Sequence, residues 1–148
     1  MKKSAIAAIA LLAAAPALSQ NVKPENQIKF RRAAYTIMNL NFASLEAMVE
    51  NKKPYNKDEA VRNADIVSLL APIPRNYFGE GTDKDTRAKP EIWKNRADFD
   101  AKMDKMVGEA GKLPAVARSG DAAALKKQVN DVGEACKACH DEYRAKQQ

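Results

Sequence analysis

Between Pro24 and Val49 the apolar residues return every third or fourth position. Ile28, Tyr35, Phe42 and Val49 are spaced by seven, and Met38 and Leu45 fill the alternate places. That spacing makes one continuous stripe along a helix. Pro24 suits the first turn, where a missing N–H is harmless. Arg31 falls on the same stripe, where an ordinary core would not hold a guanidinium. A second amphipathic pattern runs from Tyr55 to Ala71, with Ala60, Ala64, Val67 and Ala71 on one face and Val61 and Leu70 beside it. Pro72 and Pro74 stop it. A long connection then reaches Glu91 and carries Gly79, Gly81 and Pro90. Connections of this length in compact domains are often functional.

A third stripe starts between Glu91 and Asp98 and continues through Phe99, Met103, Met106, Ala110, Leu113 and Ala117. Pro114 lies inside it, so the helix should kink or end near Gly111-Lys112. Ser119-Gly120-Asp121 reads as a turn, with Ser119 or Asp121 available as a cap. A fourth helix follows, with Leu125, Val129, Val132, Cys136, Cys139 and Tyr143 on one side. No segment reads convincingly as a strand. The expected fold class is all-α: an antiparallel up-down-up-down four-helix bundle.

The first residues read as an export signal. Lys2 and Lys3 form a basic start, Ile6 to Ala15 is an apolar run too short to span a bilayer, and Ala17-Leu18-Ser19 is a cleavage motif. The expected division is a signal peptide at 1–19, cleaved after Ser19, and a single domain at 20–148. No later apolar stretch approaches the roughly 20 residues of a membrane helix. The expectation is a soluble periplasmic protein with no membrane insertion.

The formal charge of +6 falls to +4 once Lys2 and Lys3 are removed. The remaining basic residues are interleaved with acids, as on solvated helix faces. A nucleic-acid surface needs clustering and interleaved aromatics, which are missing.

The chain has two cysteines and one histidine, and all three lie in Cys136-Lys137-Ala138-Cys139-His140. C-x-x-C-H is the attachment signature of c-type haem. Two thiols at i and i+3 share a helix face and can add to the two vinyl groups. The adjacent imidazole can then ligate the iron. A disulfide between the cysteines would close a very small loop and stabilise little. A thioredoxin-like pair belongs at a helix N-terminus, whereas this one lies late in a helix. A zinc site would need a fourth ligand from elsewhere. Since His140 is the sole imidazole, a second axial donor would have to be a methionine, with Met38, Met48, Met103 and Met106 available. Each is equally at home as core filler.

With "IKFRRAAYTIMNLNF", "NYFGEGT", "KPEIW" and "DVGEACKACHDEYR" in place, the chain resembles cytochrome c′, of the class II c-type cytochromes. The resemblance covers essentially the whole domain. It implies one covalent haem c per chain, joined to Cys136 and Cys139, with His140 as fifth iron ligand. It implies an open sixth position covered by Tyr35. Low-spin relatives carry their ligating methionine where this chain has Arg31, which cannot ligate, so a five-coordinate, high-spin iron is expected. Arg31 would pair with the haem propionates, and Arg32 and Thr86 would lie near them or the haem edge. Thr82 and Asp83 belong to the same loop. Arg144 corresponds to a basic residue on the proximal side, and it also suits the helix C-terminus. Gly133 would allow close packing against the porphyrin or a neighbouring helix, or is merely tolerated. The resemblance further implies a homodimer packed through the first two helices, for which Leu40, Ala47 and Ile66 are candidates.

Paired acid/base or nucleophile constellations are missing, so an enzyme is not expected. The expected function is binding of small diatomic gases, NO and CO, with buffering or transport of NO. The alternative is one-electron transfer between periplasmic redox partners, and a third reading is a haem-free helical chaperone.

Overall fold

The computed structural model describes residues 22–146. The expected signal peptide at 1–19 lies outside them. Helix α1 spans Pro24–Val49, with the proline in its first turn, and buries Arg31, Ala34, Met38, Leu45 and Met48. Helix α2 spans Lys57–Leu70. The expected start at Tyr55 is displaced because Asn56 caps the helix, its side chain accepting from the Glu59 N–H. After Pro72 the chain makes one 3₁₀ turn at Pro74–Tyr77 and a single α-turn, α3, at Glu91–Lys94.

The third stripe is broken where Pro114 predicts it. Helix α4 covers Arg96–Ala110 and α5 covers Leu113–Ser119, with Pro114 in the first turn of α5. The side chains remain on one face across the break, since Phe99, Met103, Met106, Ala110, Leu113 and Ala117 are all buried. Gly120 ends α5 in the left-handed region at φ 76°, which a residue without Cβ adopts freely. Helix α6 spans Ala122–Tyr143, and its cap is Asp121, whose carboxylate accepts from the Ala123 and Ala124 N–H groups at 2.9 Å each.

Helix α1 packs on α2 and α6, α4 packs on α6, and α5 packs on α2 and α6. The α4–α5 pair therefore occupies one position of an antiparallel four-helix bundle. Leu45, Val67, Phe99, Leu113, Leu125 and Val129 are fully shielded at its centre. Among the described residues the only extended pairing is an antiparallel bridge between Ala88 and Arg144. Around it, Lys89 donates to the Tyr143 carbonyl at 3.0 Å and Ala145 donates to the Arg87 carbonyl at 2.8 Å. No helix among these residues is long and apolar enough to cross a membrane.

The cap of α6 sets the start of the helix that carries the cysteines. Asp121→Ala leaves two N–H groups unpaired and is expected to lower stability by about 1 kcal/mol, read by urea denaturation followed by helical circular dichroism.

Candidate haem site

Helices α1, α4 and α6 enclose a cavity of about 930 Å³ that opens to solvent on one side. Its size lies at the upper end of the usual range for small-molecule sites, about 300–1,000 Å³. Cys136, Cys139 and His140 line it from α6, and Tyr35 lines it from α1. Phe42, Phe99, Met103, Met106 and Val132 make its walls predominantly apolar.

Both cysteines are free and half-buried. Burial pushes the Cys136 thiol up, with the charge of Glu46 adding to the effect. Cys139 is pushed up to about 11, again by burial first and by Cys136 second. Both therefore remain un-ionised thiols at neutral pH, unlike the thiolate of a redox-active pair. Among the described residues no His, Cys, Asp and Glu cluster could hold a metal ion by itself.

Burial, reinforced by Arg144 and then Arg87, pulls His140 down to about 4, so its imidazole is neutral near pH 7. Arg144 Nη1 stands 3.4 Å from His140 Nε2. A guanidinium can only donate, so this contact suits the tautomer with its lone pair on Nε2. Arg144 lines the cavity, and its backbone N–H also bonds the His140 carbonyl at 3.1 Å.

Tyr35 is half-buried on the cavity wall. Burial first, then the two cysteines, raise its phenol above the ordinary value, so it stays neutral. Its hydroxyl donates to Met103 Sδ at 3.9 Å, a weak contact that leaves the ring as the dominant feature. Met38, Met103 and Met106 line the cavity, whereas Met48 is buried in the core away from it.

Arg31 is buried at 4 % exposure and lines the cavity, but its partners in the chain are carbonyls. Nη1 donates to the Tyr77 carbonyl at 2.9 Å, and Nη2 donates to the Thr82 carbonyl. Its guanidinium stacks on Phe78, 4.4 Å from the ring centroid. The chain itself therefore satisfies much of the charge for which propionates are the expected partner, while burial lowers the pKa of the group. Arg32 donates to the Asp85 carbonyl, and both Arg32 and Thr86 line the cavity. Thr82 and Asp83 do not: the Thr82 hydroxyl is turned to the Gly79 carbonyl at 2.8 Å.

Gly133 is on the wall one turn before Cys136, and a Cβ added there would meet nothing within 4 Å. No neighbouring helix requires this glycine. The space before it belongs to the cavity, which fits a flat group lying against α6. Reasoning from sequence missed Asn39 and Glu46, although both share a helical face with Tyr35 and Phe42. It also missed Phe78, Arg87, Ala88 and Ile92, which reach the cavity from the long connection and α3, where no periodicity marks them.

An antiparallel four-helix bundle with a thiol pair and a neutral imidazole on one apolar cavity defines a c-type haem protein of the bundle class. The model of the family described as Cytochrome C' matches residues 26–144. The chain belongs to the cytochrome c′ family, whose members are c-type haem proteins and not enzymes. It is 39% identical over 126 residues to cytochrome c' of Rubrivivax gelatinosus, covering 84% of this chain and 98% of that one. The structure of cytochrome c prime from Shewanella frigidimarina superposes with a TM-score of 0.81 at 37% identity, over 84% of this chain and 98% of that one. A nitric oxide complex of a mutant of the Alcaligenes xylosoxidans protein matches with a TM-score of 0.79 at 36% identity, over 85% and 98% of the two chains.

Replacing Arg31 removes the donor to two inward carbonyls. Arg31→Met is expected to cost about 2–3 kcal/mol and to speed amide exchange in residues 77–82, measured by denaturation and by hydrogen exchange.

Proposed function

We propose that this chain is a periplasmic cytochrome c′ that binds NO and CO at a five-coordinate haem c, one per chain. The observation that carries the reading is that Tyr35 from α1 lines the same cavity as Cys136, Cys139 and His140 from α6. Haem c supplies an iron that can take up a diatomic ligand or an electron.

The residues of the chain do the rest. Cys136 and Cys139 hold the group through thioether bonds, so it cannot be lost from an exported protein. His140 would hold the iron through its imidazole, and Arg144, 3.4 Å from Nε2, would have to leave that atom free. Tyr35 presents a neutral ring, flanked by Phe42, that admits small diatomics and excludes larger ligands. Arg31, Arg32 and Thr86 line the part of the cavity near the long connection, where remaining guanidinium donors can meet carboxylates. The Alcaligenes xylosoxidans relative supports NO as a ligand, since its mutant is described as a nitric oxide complex.

One-electron transfer is the second reading. It is favoured by Met38, Met103 and Met106, three thioethers on the cavity wall. Export, with cleavage after Ser19, belongs to the same proposal. So does a homodimer through α1 and α2: Leu40 and Leu69 are both 72 % exposed, and Phe30 and Ile37 about half exposed.

Three experiments test the proposal. The purified holoprotein should show a high-spin ferric spectrum, and Tyr35→Ala should raise the CO association rate and affinity on the order of tenfold, about 1.4 kcal/mol. A low-spin spectrum, or unchanged CO binding in the variant, rejects Tyr35 as the cover. Cys136→Ala with Cys139→Ala, expressed alongside haem-attachment machinery, should yield almost no covalent haem by absorbance after acid–acetone extraction.

A further inference from the structure

The cavity face of α1 is polarised along its length. Arg31 and Arg32 stand near its start, Tyr35 and Phe42 in the middle, and Glu46 at the far end. Residues 35, 39, 42 and 46 recur every three or four positions, so they share one side of the helix.

Glu46 is the anomaly on that wall. It is half-buried beside Leu45 and Phe42, and its carboxylate makes no hydrogen bond or ion pair. Lys52, the cation whose charge reaches it, is engaged by Glu50 at 2.6 Å. Burial, and then repulsion from Glu50, push the Glu46 carboxyl above the ordinary range, with Lys52 opposing. On α6 the thiol of Cys136 senses its charge. An unpaired carboxylate on an apolar wall is destabilising, and the packing of the chain offers nothing in return. A cationic centre in the cavity would.

We propose that Glu46 is a positioning residue for charge: its carboxylate favours the oxidised haem and couples proton uptake to reduction. The inference rests on the covalent-haem reading above. When a one-electron donor reduces the ferric centre, the site loses one unit of positive charge. The carboxylate is then less well stabilised, and it takes one proton from solvent to give the carboxylic acid. One electron and one proton enter together, and no bond to the porphyrin is made or broken.

The sign follows from linkage. The Glu46 pKa is lower beside the oxidised centre and higher beside the reduced one, so the potential falls as pH rises between the two values and levels off above them. The charged or titratable groups around the carboxylate are Glu50 and Lys52 beyond the end of α1 and Cys136 on α6. The last is consumed by its thioether. Glu50 and Lys52 neutralise one another in both oxidation states.

The test is a spectroelectrochemical titration of the holoprotein between about pH 5 and pH 8, the window that a raised carboxyl and a neutral reference both occupy. Wild type, Glu46→Gln and Glu50→Gln are compared. Glu46→Gln should raise the equilibrium constant for reduction at neutral pH on the order of threefold to tenfold and flatten its pH dependence. Glu50→Gln should do clearly less. Unaltered potentials and slopes in Glu46→Gln would overturn the proposal, as would an equal effect of Glu50→Gln. Thermal denaturation of the same variants separates a merely structural role, which would move stability and leave the potential in place. A wild-type protein lacking a Soret band would defeat the covalent-haem reading itself, and is recognised before any titration begins.

Discussion

The rest of the structure depends on one constraint, the filling of the space between α1, α4 and α6. Cavities in protein cores destabilise by about 24 cal/mol per Å³ when nothing occupies them. The space of about 930 Å³ here opens to solvent, so its cost lies in the apolar side chains it leaves in water rather than in an empty core. The bundle therefore makes sense as a three-sided wall around a large apolar group. Its other core lies on the far side, where α2 and α5 meet and Ala60, Ala64, Ala71 and Ala117 are completely shielded. Small residues let those helices approach closely, while Phe42, Met103, Met106 and Phe99 line the spread side.

Much of this was legible in the chain. The four stripes, the break at Gly111-Lys112 and the Asp121 turn followed from apolar spacing and capping chemistry, because helical periodicity and helix ends are local properties. That Cys136, Cys139 and His140 share one wall was legible for the same reason, since i, i+3 and i+4 fall on one helix face. Arg31 was conspicuous as a charge on an apolar stripe, but its partners were not readable. They are the Tyr77 and Thr82 carbonyls, 46 and 51 residues away, and only the folded path of the connection brings them there. Phe78 was hidden for a similar reason. It lies in an irregular segment, yet it is buried under Arg31 and packs edge-on against Phe99 at 5.0 Å. Glu46 could have been found by continuing the Tyr35–Phe42 face by four residues. A carboxylate at that place reads as solvent-facing until the cavity is known.

Burial acts in one direction on every titratable group of the site. It keeps both thiols protonated, the Tyr35 phenol protonated and the His140 imidazole deprotonated. All four are therefore neutral near pH 7, which suits an apolar group entering between the helices and leaves His140 with a free lone pair. Charge is carried by Arg31, Arg32, Arg87, Lys137, Asp141 and Arg144, with Glu46 as the exception already described. The division has a physical basis: a charge costs least where water or a hydrogen-bond partner remains within reach.

The long connection is what ties the two faces of the cavity to one another. Near its start Gln27, Arg31 and Arg32 of α1 bond to Gly79, Thr82 and Asp85. Near its end Arg87 and Lys89 pair with Ala145 and Tyr143, the residues that flank Arg144. Trp93 and Arg96 also pin its first part by donating to the Phe78 carbonyl at 3.2 and 3.1 Å. The same short stretch of backbone thus holds the helix that presents Tyr35 and the end of the helix that presents His140. A chain with only helix-to-helix packing could let α1 and α6 drift apart as the cavity fills. Here such drift would break hydrogen bonds at both ends of residues 77–89, so the spacing between Tyr35 and His140 is set by the connection as well as by the bundle.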